Sequence, residues 1–123
     1  MASRAGRKPE TDAVADPLVF DRVHLARYTM DSIDLEREII QLFLAQLPET
    51  LAMIGAAVEA AEWKLATHSL KGSAAAVGAH RINRLAEALE RFGVEAEPQK
   101  DAMIRDLDQA VGEFRDLVAR IYS

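Results

Sequence analysis

The chain has 123 residues, half of them hydrophobic, with a formal net charge of −5, four prolines and no cysteine. That length allows one domain with a real core and excludes two large ones. Without cysteine there is no disulfide framework and no thiolate chemistry, and an acidic chain with no basic stripe interleaved with aromatics fits nucleic acid poorly.

Residues 1–16 mix charge, alanine and proline without a period, so a flexible tail is expected there. The first ten, MASRAGRKPE, are basic but lack the apolar run of a secretory signal. No run of 18 apolar residues occurs, so no transmembrane helix and no membrane partner are expected. A cytoplasmic location is the default. Beyond the tail there is no internal repeat and no alternating strand pattern, and residues 17–123 are expected to form one helical domain.

A short helix is predicted over about residues 21–30. Asp31 or Ser32 then caps a longer one, with Glu36 and Glu38 favourable near its start. This second helix runs LEREIIQLFLAQLPETLAMIGAAVEAA, and Pro48 is predicted to kink it. The third spans about residues 62–79 and the fourth about 80–92, with Gly93 where a C-terminal glycine belongs. EAEPQ is then a loop. In the last helix Ile104, Leu107, Val111, Phe114, Val118 and Ile121 alternate spacings of three and four, an apolar stripe suited to packing among antiparallel helices. Together these imply an all-α fold: an up-and-down antiparallel four-helix bundle with a short additional N-terminal helix.

One stretch inside that pattern, THSLKGSAAAVGAHRI, carries glycine in a helix, which costs roughly 1 kcal/mol relative to alanine. On a wheel centred on Leu70, Trp63, Ala66, Ala74 and Val77 fall within about 40° and form the buried stripe. His68 lies about 160° away and faces solvent. Its neighbours one turn along are Lys64, Lys71 and Gly72. Gly72 either leaves the histidine clear for the close approach of another protein or marks a kink or tight helix contact. Gly78 is read as a close approach or the end of the third helix. Lys64 is read as a solvated charge, His80 as a residue at the start or surface of the fourth helix, and His24 as a surface or boundary residue.

An unperturbed imidazole titrates near about 6.5, so much of it is neutral at cytoplasmic pH and can accept a phosphoryl group. The lysines would favour an anion placed on it. Yet the chain has no phosphate-binding glycine loop and no carboxylate cluster suited to Mg²⁺. No cofactor of its own is expected, and nucleotide and metal handling fall to a partner.

HSLKGSAAAVG fits H-x-L-K-G-x-x-x-x-x-G and resembles the signature of histidine-containing phosphotransfer (HPt) domains. LEREIIQLFLAQLPETL before it, the AEW entry and the RINRLAEALE segment after it are similar too, so the likeness covers roughly residues 20–95. The resemblance implies a monomeric intermediate of a multistep phosphorelay without autokinase activity. Its partners would be receiver domains, of a hybrid histidine kinase and of a response regulator, each carrying its own Mg²⁺. Carried over by position, His68 is the phosphorylated residue, Lys71 contacts the phosphoryl oxygens and Gly72 provides clearance. Glu90 stands where the family often has glutamine or glutamate, and would accept a hydrogen bond from the imidazole N–H. Two other readings are a binding-only bundle and the dimerisation segment of a histidine kinase.

On the second helix, Leu35, Ile39, Ile40, Leu42, Phe43, Leu44 and Leu47 span roughly 200°, twice what a core-facing stripe needs. Either the surplus is exposed as a docking patch, joined by Leu65, or the N-terminal helix buries it.

Overall fold

Asp21 caps the first helix: its Oδ1 accepts from the His24 backbone N–H at 3.0 Å, and α1 (Arg22–Thr29) follows. The computed structural model describes residues 16–95 and 97–122, so the expected tail lies outside the described residues except for Asp16. Met30 and Asp31 both take left-handed backbone angles and reverse the chain. Ser32, rather than Asp31, is the cap of α2 (Ile33–Ala56), accepting from the Leu35 N–H at 3.3 Å. Pro48 lies inside that helix.

α2 ends five residues earlier than the periodicity suggests. Ala57 turns to an extended conformation and is buried, and Glu62 accepts from the backbone N–H groups of Val58 and Glu59 at 3.3 Å each. That reach-back starts α3 (Ala60–Val77) and satisfies donors that have no partner within the helix. α4 (His80–Phe92) ends at Gly93, as expected, with a positive φ of 85°. EAEPQ is only partly a loop: α5 (Glu97–Ile121) takes in its last three residues. Proline is tolerated in a first helical turn, where its missing N–H is not needed.

Consecutive helices α2 to α5 pack side by side through short connections, and α1 lies against α2 and α3. The result is the four-helix bundle with an N-terminal extra helix, and no strand occurs among the described residues. Phe114 of α5 is wholly buried and meets the edges or faces of Phe20 and Phe43 at ring distances of 5.7 and 5.4 Å. The predicted stripe on α5 is buried at Leu107, Val111, Phe114 and Val118, and half-buried at Ile104 and Ile121. By length and composition α2 could cross a membrane; here Ile40, Phe43, Leu47 and Ile54 of α2 are part of the bundle core.

Glu36 lies in the first turn of α2, as expected, and is also buried. It is 2% exposed and accepts from Arg22 Nε at 3.0 Å and from the Tyr122 hydroxyl at 2.7 Å, while the Arg22 guanidinium lies over the Tyr122 ring. A buried carboxylate is tolerated only when hydrogen-bonded in this way. The network ties α1 and the end of α5 to the start of α2. Next to Arg22, at the same end of α1, the Asp21 N–H donates to Gly78 O at 2.8 Å and the Asp21 carboxylate meets His80 Nε2 at 3.0 Å. His24 is half-buried, its ring edge-on to those of Tyr28 and His80.

Two glycines in the histidine stretch therefore differ in kind. Gly78 caps α3 at φ 84°, and a Cβ there would sit 2.7 Å from Asp21 O. Gly72 is mid-helix, exposed, and a Cβ there would meet nothing within 4 Å. Gly78→Ala should destabilise the protein by more than about 1–2 kcal/mol, whereas Gly72→Ala should stabilise it by up to about 1 kcal/mol. Denaturant midpoints of the two variants check both signs.

Burial, helped by the bond to Glu36, pushes the Tyr122 hydroxyl above its ordinary value, with Arg22 pulling the other way. A raised folded-state value favours the neutral form in the fold, so this contribution is full below about pH 10 and fades as pH rises beyond it. Urea unfolding at stepped alkaline pH should show wild type losing stability more steeply than Tyr122→Phe.

Candidate functional site

The roll of α3 about its own axis decides which side chains reach solvent. Trp63, Ala66, Leu70, Ala74 and Val77 are all buried, as the wheel requires. Trp63 fixes the angle: its indole N–H donates to Leu89 O on α4 at 2.8 Å, with the ring 2% exposed. Thr67, fully buried, turns its hydroxyl back onto Trp63 O at 2.8 Å. The next residue, His68, points outward, its side chain 66% exposed.

Clamping Leu89 also sets the place of its neighbour. Glu90 reaches across from α4 and divides its carboxylate between two residues of α3. Oε1 lies 2.8 Å from Lys71 Nζ, and Oε2 lies 3.4 Å from His68 Nδ1. The first is a short charge-assisted hydrogen bond; the second is within ion-pair range but long for a hydrogen bond. Lys71's hydrogen bond, more than the charges of Lys71 and His68, holds the Glu90 carboxyl below its ordinary value against the opposing effect of partial burial. The carboxylate is therefore ionised at neutral pH.

Sequence reasoning placed His68, Lys71, Gly72 and Glu90 at one site, and all four are gathered here. The helical wheel alone could not bring Glu90 to His68, because that distance depends on how α3 and α4 pack. Lys71 is not a free cation awaiting an anion, since its partner in this state is Glu90. Gly72 faces open space, which favours clearance over a tight helix contact. Lys64 is exposed, as a solvated charge should be.

Asn83 escaped the sequence reading. Its Nδ2 donates to the Lys71 backbone carbonyl at 2.9 Å, a second tie between α4 and the turn of α3 that carries the histidine. An asparagine inside a helix is a weak helix former that competes for backbone groups, and that was the available signal.

An apolar surface adjoins the histidine on the side away from Glu90. Leu65, one turn before His68, is 66% exposed and lines a shallow cleft of about 230 Å³ with Met53, Ala56, Ala57 and Glu62. The surplus of α2 is divided: Ile40, Phe43 and Leu47 are buried, Ile39 and Leu44 half-buried, Leu35 and Leu42 exposed. Leu35, Leu42 and Met53 share one flank of α2, within about 20° of one another. α1 does not bury that flank. Among the described residues, no group of three or more His, Asp or Glu side chains could hold a metal ion.

A family model described as Hpt domain matches residues 38–122, from the first turns of α2 through α5. No curated protein and no solved structure matches the chain at a significant level.

Proposed function

The chain belongs to the Hpt domain family, and we propose that His68 relays a phosphoryl group between receiver-domain aspartates. Members of the family are histidine phosphotransfer modules of two-component signalling, without kinase activity of their own. The observation that carries the finer reading is the setting of His68. Its ring stands on the solvent face of α3, with Nδ1 turned to Glu90 and Nε2 without a partner among the described residues.

The chemistry follows from that setting. With the ring proton on Nδ1, the nitrogen that faces Glu90, the lone pair is on Nε2. Nε2 attacks the phosphorus of a receiver's aspartyl phosphate; the P–O bond breaks and its electrons return to the aspartate carboxylate. No proton need leave the ring. The receiver supplies Mg²⁺ and its own lysine, because phosphoryl transfer depends mostly on positioning and charge neutralisation. The reverse reaction on a second receiver passes the group on. We assign the first receiver to a hybrid histidine kinase and the second to a response regulator, with this bundle acting as a monomer in the cytoplasm.

Docking is assigned to the apolar flank beside the histidine: Leu65 and Met53, continued by Leu42 and Leu35. Gly72 keeps the approach low. Side chains this exposed leave the fold intact when changed, so their contribution is to partner affinity.

Incubation with a phosphorylated receiver should label wild type with an acid-labile phosphoryl group, and His68→Ala should take no label while keeping its helical circular dichroism. Label surviving on His68→Ala would overturn the assignment. Leu65→Asp should weaken receiver docking roughly tenfold, or about 1.4 kcal/mol, leaving the unfolding midpoint unchanged; titration of transfer rate against receiver concentration measures it.

A further inference from the structure

We infer that Glu90 holds Lys71 in reserve while His68 is unphosphorylated, and hands it to the phosphoryl group once His68 carries one. The inference rests on the assignment of His68 as the phosphoryl carrier and concerns how the same site changes its pairing.

The two contacts of Glu90 are unequal. Lys71 takes the short one, at 2.8 Å, and His68 the long one, at 3.4 Å. In this arrangement the lysine is spent on a carboxylate, and a phosphoryl group arriving at Nε2 meets a site whose cation is already neutralised. Trp63 pins Leu89 O, and Asn83 pins Lys71 O, so the two helices keep their spacing. What can move is the lysine side chain, whose flexible four-carbon stem carries a compact charge. It is 29% exposed, and the histidine lies three residues back on the same face of the helix.

Charge decides the direction. Before transfer, an ammonium, a carboxylate and a neutral ring sum to zero. After attack by Nε2 the ring retains its Nδ1 proton and gains a positive charge, and the phosphoryl group brings about two negative charges. A phosphoryl dianion attracts the ammonium more strongly than a single carboxylate does. Glu90, released by Lys71, is then free to close on the positively charged Nδ1–H. Each ion ends beside its stronger partner, and the N–P bond forms with no proton lost. Glu90 is in this sense a positioning residue: it touches the ring and the lysine but not the phosphorus.

Glutamine at this place separates its two tasks. Its carbonyl oxygen still accepts from Nδ1–H, but its neutral amide no longer holds the ammonium. The probe is phosphoramidate, a small phosphodonor that needs no receiver, acting on the full chain. Glu90→Gln should be phosphorylated about two- to fivefold faster than wild type, the order expected for releasing an ion pair that is partly open to solvent. The gain should vanish when Lys71→Met is added. Nitrogen-15 spectra of histidine-labelled protein, with the His68 signals identified by His68→Ala, should show the Nδ1–H tautomer kept in Glu90→Gln and diminished in Glu90→Ala. A rate for Glu90→Gln equal to or below wild type would overturn the inference, as would an acceleration that persists without Lys71. If wild type takes no more label than His68→Ala, the underlying assignment fails instead, and this inference with it.

Discussion

The hydrogen bond from the Trp63 indole to Leu89 O, 2.8 Å long and sealed from water, sets the roll of α3 against α4. Everything at the site depends on that angle. Were α3 turned by one residue, about 100°, the histidine would move into a helix contact and Lys71 out of reach of Glu90. An indole N–H buried without a partner would cost about 1–3 kcal/mol, so the helix has one preferred setting rather than several. The same bond acts on the opposite helix, because the residue after Leu89 is the one that meets both Lys71 and His68. A structural clamp and a functional contact are thus adjacent in the chain.

The two glycines show how the helix divides structure from function. Gly78 has a conformation and a neighbour that admit no side chain: Asp21 O lies where a Cβ would be. It lets the N-terminal segment cross the α3–α4 turn, and the Asp21 carboxylate then reaches His80. Gly72 has neither constraint, and an alanine would serve the helix better. A residue that lowers stability without a structural reason, one turn from an exposed histidine, is accounted for by what must approach from outside. Such local conflicts between propensity and fold are expected at functional sites.

The polar cluster around Glu36 does for α1 what Trp63 does for α3. A carboxylate, a guanidinium and a phenol satisfy one another where three parts of the chain meet. An apolar contact at this junction would hold the parts together without fixing their register, whereas hydrogen bonds demand one geometry. α1 is held there and at Gly78, and it leaves the outer flank of α2 uncovered. That is why Leu42, at 61% exposed, remains a surface residue.

Periodicity alone determined the helix order, the fold class, the buried stripe of α3 and the outward direction of His68. Those properties follow from spacing along one helix, and a helix repeats its geometry whatever surrounds it. Capping chemistry located several helix ends; where no cap was read the bounds slipped, because Ala57 turned the chain early and α5 began inside EAEPQ. Tertiary structure alone decided that Glu90 sits between Lys71 and His68, that Asn83 grips the Lys71 carbonyl, that Glu36 is buried, and which leucines of α2 stay in water. Each of these joins residues on different helices, and the distance between two helices is set by the packing of all the side chains between them rather than by the residues that meet.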